Sequence, residues 1–194
     1  KDMEKWSGKT AIVTGGSSGI GAAIVREFLA ANITTINLDL SECEEFKTCK
    51  NYFFINCDIG DENSRKFAFK TIEKKFSTIQ ILVNNAGIGS RMGVLNLDEG
   101  SSEKIDKIIS VNFVALIHCT REAFRLMKKS DDNGLIVNIC STLGFKIPFG
   151  FNFIYPATKH GVRPFSEILR QELIINGNEK VRVTNLNPGL VWTN

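Results

Sequence analysis

Six short runs rich in β-branched and apolar residues, interleaved with longer stretches of helical periodicity, restrict the fold of this chain more than any other feature. The runs are Thr10 to Thr14, Thr34 to Leu38, Phe53 to Cys57, Ile79 to Val83, Leu135 to Cys140 and Val181 to Leu186. Several are apolar throughout instead of alternating, the pattern of strands covered on both faces in a parallel sheet. Helical patterns occupy Ile20 to Ala31, Asp61 to Phe76, Ser101 to Lys128 and Tyr155 to Ile175. This β/α alternation predicts an α/β fold, a doubly wound parallel sheet in a three-layer α/β/α sandwich. Ligands in such sheets bind beyond the C-terminal ends of the strands, so the loops there carry the functional information.

Composition narrows the function classes. With 194 residues, 43% hydrophobic and 23% charged, the chain has the make-up of one soluble domain with a sizeable core, and residues 1–194 are read as a single domain. Its net charge of +3 comes from 24 basic and 21 acidic residues spread along the sequence, so no nucleic-acid partner is expected. Cys43, Cys49, Cys57, Cys119 and Cys140 are odd in number and form no C-x-x-C pair, which points to free thiols. His118 and His160 are the only histidines, and no metal site is expected. No basic segment leads into an apolar signal stretch, and no run approaches the roughly 18 to 20 apolar residues that span a bilayer. The expectation is a cytoplasmic protein with no membrane partner. The chain starts at Lys1 and stops at Asn194 just after a strand-like run, so it is read as incomplete on its C-terminal side.

After the first strand comes Thr14-Gly15-Gly16-Ser17-Ser18-Gly19-Ile20-Gly21, leading directly into a helix. Gly15 and Gly19 can adopt backbone conformations that a side chain hinders, and Gly21 lets the helix approach the sheet while its N–H groups face a pyrophosphate. A structural turn needs the same glycines. What favours a Rossmann-type dinucleotide site is the strand before, the helix after and Asp39 at the tip of the second strand. A carboxylate there accepts hydrogen bonds from ribose hydroxyls and repels a 2′-phosphate, so NAD is favoured over NADP. Asp58 closes the third strand and is placed to meet the adenine amino group, while Asn84-Asn85-Ala86-Gly87 follows the fourth. Either could equally be strand-end turn chemistry.

Tyr155-Pro156-Ala157-Thr158-Lys159 places a phenol and an ammonium four residues apart on one helix face. A nearby Lys favours the phenolate, and a Tyr tuned in this way can exchange the hydroxyl proton of an alcohol while hydride moves to or from nicotinamide. The spacing alone is common on exposed amphipathic helices. Ser141, ending the fifth strand, strengthens the reading because a hydroxyl there can hydrogen-bond a substrate oxygen. Asn112 lies in the apolar run Val111 to Leu116, where a buried amide needs a partner.

Together these residues resemble the short-chain dehydrogenase/reductase family over essentially the whole chain. The family's glycine motif falls on Thr14 to Gly21, its Asn-Asn-Ala-Gly on Asn84 to Gly87, its Asn, Ser, Tyr, Lys tetrad on Asn112, Ser141, Tyr155 and Lys159, and its Pro-Gly on Pro188-Gly189. The resemblance implies that Tyr155 is the acid/base, Lys159 binds the nicotinamide ribose and lowers the Tyr pKa, Ser141 orients substrate, and Asn112 holds a water in a proton relay. It places cofactor contacts on Gly15, Ser18, Gly19, Ile20, Gly21, Asp39, Asp58, Ile59, Asn85, Ala86, Gly87, Tyr155, Lys159, Pro188, Gly189, Val191 and Thr193. The stretches Cys119 to Phe124, Tyr155 to Val162 and Leu169 to Leu173 look more narrowly like the insect farnesol dehydrogenase subgroup.

Three departures qualify the match. That subgroup usually carries a basic residue near the end of the second strand and uses NADP, whereas this chain has Asp39. Pro164 interrupts the helix that in the family forms the dimer interface, although a homodimer or homotetramer remains the expected assembly. Family members also run further, through a substrate-covering segment and a seventh strand. Near the catalytic end Phe145, Ile147, Phe149, Phe151 and Phe153 are apolar, which suits a hydrophobic primary or secondary alcohol, or its carbonyl, or else simple packing of a loop. Two competing readings are a dinucleotide-binding protein without catalysis and a methyltransferase on a related sheet; the latter does not account for Ser141, Tyr155 and Lys159 together.

Overall fold

The computed structural model describes residues 3–150 and 153–192. Its strands are β1 (Thr10–Thr14), β2 (Thr34–Asp39), β3 (Tyr52–Asn56), β4 (Ile81–Asn84), β5 (Gly134–Ile139) and β6 (Val181–Leu186). They form one sheet in the order β3-β2-β1-β4-β5-β6, with every pairing parallel. The order reverses between β1 and β4, where the loops leaving the two strands part and open a crevice. The helices are α1 (Gly19–Ala30), α2 (Glu62–Phe76), α3 (Ser101–Ile109), α4 (Ala115–Met127) and α5 (Tyr155–Ile175).

Strand residues one position apart point to opposite faces, and the apolar runs supply a core on each side. Phe53, Ile36, Ile12, Leu82, Ile136 and Val183 lie in register as one row across all six strands. That row packs against Phe69 and Ile72 of α2, Ala115, Cys119 and Ala123 of α4, and Leu173 of α5. On the other face Ala11, Val13, Ile81 and Val83 meet Ala22 and Val25 of α1. Two residues further toward the strand ends, the α4/α5 face turns polar: Asn84, Asn138 and Asn185 stand side by side.

All six expected strands are present, β1 and β6 with the expected bounds and the other four with ends shifted by a residue or two. The helix expected over Ser101 to Lys128 is divided, because Ser110–Val114 forms a π-helical turn between α3 and α4. An extra residue per turn rotates the side chains that follow, and such turns recur at functional sites. Here the wide turn holds Asn112, 1% exposed. Pro164 does not end α5, which runs through it from Tyr155 to Ile175. The boundary of α2 follows local chemistry: Asp61 caps it by accepting the Ser64 N–H at 2.7 Å.

Candidate active site

The glycine turn between β1 and α1 is built for close approach. Gly15 has φ +67°, and a Cβ there would come within 2.9 Å of the Ala86 Cα. At Gly21 a Cβ would lie 2.0 Å from the Gly15 carbonyl oxygen and 2.5 Å from the Asn85 Nδ2. Side chains from neighbouring strands hold the turn. Gly16 N–H donates to Asn37 Oδ1 at 2.8 Å, and Ser17 N–H donates to Asp39 Oδ2 at 2.9 Å. Asn85 Nδ2 donates to the Thr14 and Gly15 carbonyls at 3.0 and 2.9 Å, while the Asn85 and Ala86 N–H groups both donate to Thr14 Oγ1. The Asn84 to Gly87 segment is thus a brace that keeps the crevice between β1 and β4 open at its floor.

The far end of the crevice carries two carboxylates. Asp39 also accepts the Leu40 N–H at 2.7 Å, so its side chain is fixed at the tip of β2 with lone pairs to spare. Asp58 accepts from Lys107 Nζ at 2.5 Å and from the Gly60 N–H at 2.9 Å. Partial burial pushes the Asp58 carboxyl up, but these two donors prevail and hold it below its ordinary value. Ile59 is steadied from below, its carbonyl accepting a hydrogen bond from the buried Arg65.

The near end gathers Ser141, Tyr155 and Lys159. Tyr155 opens α5, whose second residue is Pro156, a favourable residue in a first helical turn. Lys159, one turn on and 3% exposed, donates from Nζ to the Ile139 carbonyl at 2.8 Å. Asn112 bridges to the loop after β4, accepting the Ile88 N–H and donating to the Ile88 carbonyl, each at 2.8 Å. Its Nδ2 also reaches Thr158 Oγ1 at 3.2 Å, and Thr158 Oγ1 in turn donates to the Tyr155 carbonyl. Gly87 seats between them, since a Cβ there would stand 3.5 Å from both Asn112 Oδ1 and Lys159 Nζ.

Electrostatics here differ from expectation in one respect. Burial pushes the Tyr155 phenol above its ordinary value, and the Ser141 hydroxyl draws it part of the way back. Burial also pushes the Lys159 ammonium down, with an opposing contribution from Cys140. The net shift of Tyr155 is upward, opposite to the lowering that the sequence suggests for a Tyr beside a Lys. The Lys159 ammonium lies 5.6 Å from the Tyr155 ring centroid and is directed to the Ile139 carbonyl.

Both ends open into one cavity of about 860 Å³, within the range of ligand sites. Against this geometry, a family profile described as short chain dehydrogenase matches residues 9–194. The chain belongs to that family. Its members are oxidoreductases on an NAD(P)-binding Rossmann fold, and the glycine cradle described above fits such a cofactor. This short-chain dehydrogenase is 36% identical over 201 residues to farnesol dehydrogenase of Aedes aegypti, covering 98% of this chain and 80% of that one. It is 34% identical over 202 residues to human dehydrogenase/reductase SDR family member 11, covering 98% and 76%. A solved short chain dehydrogenase from Leptospira borgpetersenii with bound NAD+ superimposes at TM-score 0.88 and 25% identity, over all of this chain and 76% of that one.

Most of the residues expected to contact a cofactor line the cavity: Gly15, Ser18, Gly19, Ile20, Asp39, Asp58, Ile59, Asn85, Ala86, Gly87, Tyr155, Lys159, Pro188, Gly189 and Val191. Ser141 lines it as well. Gly21 and Asn112 do not; Gly21 lies under the turn, and Asn112 supports the wall through Ile88. Thr193 and Phe151 lie outside the described residues. Of the apolar residues read either as a pocket wall or as loop packing, Phe145, Ile147, Phe149 and Phe153 do not line the cavity. Phe149 is exposed, Ile147 is half-exposed, Phe145 lies against the Arg163 guanidinium at 3.8 Å, and Phe153 pairs with Gly93 in an antiparallel bridge between two loops. The apolar walls come instead from Ile88, Leu143 and Leu190. Lys107 escaped the sequence reading because its partner Asp58 is 49 positions away. The Ile139 carbonyl is a backbone atom that no residue type signals.

Proposed function

We propose that this short-chain dehydrogenase interconverts a hydrophobic primary or secondary alcohol and its carbonyl with NAD as the hydride carrier. The observation that carries the reading is the convergence of Ser141, Tyr155 and a buried Lys159 at one end of a cavity whose other end presents Asp39. Gly15, Ser18, Gly19 and Ile20 would face the pyrophosphate from the start of α1, Asp39 the adenosine ribose, and Asp58 with Ile59 the adenine edge. Pro188, Gly189, Val191 and Lys159 would border the nicotinamide half. The bound cofactor supplies the hydride acceptor or donor; the chain's own groups handle orientation and the proton.

Tyr155 is the proton-exchanging group. Its phenol, held protonated by burial, is ready to give a proton to a carbonyl oxygen, and in the reverse direction its phenolate takes the proton of an alcohol. Ser141 orients the same oxygen and stabilises charge on it. Asn112 keeps the Ile88 wall and Thr158 in place. Support for an apolar substrate comes from Ile88, Leu143 and Leu190 and from the relative named for farnesol, itself a long apolar alcohol. Support for NAD comes from Asp39 and from the NAD+-bound relative. Continuity of α5 through Pro164, with Lys159 seated on Ile139, weighs against a merely cofactor-binding protein. Tyr155→Phe tests the assignment: turnover is expected to fall at least about a hundredfold with NAD affinity retained. An active Tyr155→Phe enzyme would refute it.

A further inference from the structure

Pro164 leaves a weak turn in α5. It has no N–H to give the His160 carbonyl, and its ring crowds that carbonyl, so the turn over residues 160–164 lacks one bond of the helical ladder. The helix is fastened to β5 on both sides of this turn. Before it, Lys159 Nζ donates to the Ile139 carbonyl at 2.8 Å, and Cys140 Sγ lies 3.1 Å from the Lys159 carbonyl. Beyond it, Asn138 Nδ2 donates to Ser166 Oγ at 2.8 Å. Asn138 and Ser166 are both fully buried.

We propose that Ser166, clasped by Asn138 and Asn185, is a positioning residue that fixes α5 across the Pro164 turn and so sets Tyr155 and Lys159 against Ser141 and Ile139. The proposal rests on the oxidoreductase reading above.

Ser166 Oγ lies 2.8 Å from the Val162 carbonyl and 2.6 Å from Asn185 Oδ1, and its single proton serves one of them while a lone pair accepts from Asn138. Asn138 Oδ1 accepts from Asn84 Nδ2 at 2.8 Å, and Asn84 Nδ2 also reaches Thr120 Oγ1 at 2.9 Å. The polar row across β4, β5 and β6 is therefore joined to α4 at one end and to α5 at the other. Amides in a core are costly unless bonded, and an apolar row would fill the same space. What an apolar row lacks is direction: oily packing tolerates a small slide along the helix axis, whereas a bond from β5 to one hydroxyl does not. Lys159, Val162 and Ser166 share one buried stripe of α5 at i, i+3 and i+7. A shift at Ser166 is thus passed through the weak turn to Lys159.

The test compares Ser166→Ala, Pro164→Ala and the double variant with the parent chain, by NAD-dependent alcohol turnover and by hydrogen exchange of peptides covering residues 157–163. Ser166→Ala is expected to lower kcat about tenfold or more at nearly unchanged KM, since small misplacements of reacting groups are costly. It is also expected to speed exchange in those peptides. Pro164→Ala alone leaves both readouts near parental values, and in the Ser166→Ala background it restores both, because the helix regains the bond that made the clasp necessary. Failure of that rescue overturns the proposal, as does unchanged kcat in Ser166→Ala. If Ser166→Ala does not fold, Asn185→Ala at the rim of the same clasp is expected to show a smaller loss with the same rescue, and no rescue overturns the proposal there too. Absence of turnover in the parent would instead refute the oxidoreductase reading, while the exchange measurements still decide the role of the clasp.

Discussion

Replacing Gly21 by Ala tests how the glycine turn is held. The new methyl carbon would stand 2.0 Å from the Gly15 carbonyl oxygen and 2.5 Å from the Asn85 Nδ2. An ordinary carbon–oxygen contact is more than an ångström longer, so either α1 or the Gly15 peptide must move, and with it the two hydrogen bonds from Asn85 to Thr14 and Gly15. Overpacking of this kind costs about 1–3 kcal/mol, and weakening two hydrogen bonds adds roughly 1–2 kcal/mol. The helix preference of Ala over Gly returns about 1 kcal/mol. The net loss is about 1–4 kcal/mol, equivalent to roughly 2–16 °C in unfolding midpoint for a chain of this size. A displaced turn should also weaken NAD binding by about tenfold or more, because its N–H groups no longer converge on the pyrophosphate. Calorimetry or thermal circular dichroism reads the first quantity and titration with NAD the second. A Gly21→Ala protein with parental midpoint and parental NAD affinity would refute the reasoning.

Other consequences follow from the same geometry. Asp39→Ala removes the carboxylate that repels a 2′-phosphate and should shift the NADP/NAD preference toward NADP by about tenfold or more, measured as a ratio of kcat/KM values. Because burial raises the Tyr155 phenol and Ser141 draws it back, alcohol oxidation should increase with pH as the phenol loses its proton, and Ser141→Ala should move that rise to higher pH; an unmoved profile contradicts the role given to Ser141. Glu73, held down to about 2 by Arg125 and Lys129, contributes stability that is present above the ordinary glutamate value of 4.5 and is lost as pH falls toward about 2. Glu73→Gln should flatten acid denaturation in that window. Ile168, Ile174 and Ile175 are exposed on α5; we expect a homodimer or homotetramer, and light scattering that shows only monomer at micromolar concentration would contradict this.

Much of the fold was legible because its signals are local. Apolar runs such as Ala11 to Val13 and Leu82-Val83 mark strands buried on both faces, and the spacing between them leaves room for covering helices. Gly15 and Gly19 marked the turn through a local demand, the positive φ each adopts, and Gly21 through the Gly15 carbonyl six positions before it. What stayed hidden depends on contacts distant in sequence or on backbone geometry. The π turn at Ser110–Val114 has no side-chain code; only Asn112, a buried amide in an apolar run, hinted at a special position. Lys107 meets Asp58, and Lys159 meets a backbone carbonyl, through folding alone. The charge effect expected of Lys159 on Tyr155 was inferred from helical spacing, which places two side chains on one face without saying where each points. Composition left the aromatic loop after β5 open between a pocket wall and simple loop packing, because apolar residue types do not say what they cover; Phe149 is exposed and Phe145 stacks against Arg163.

The central claim is tested most directly by following reduced-nicotinamide formation by this short-chain dehydrogenase with NAD or NADP and a panel of apolar alcohols that includes farnesol. The account predicts turnover that is faster with NAD and disappears in Tyr155→Phe. Binding of NAD without turnover of any alcohol or carbonyl in the panel would contradict the catalytic assignment, and turnover with NADP alone would contradict the role given to Asp39.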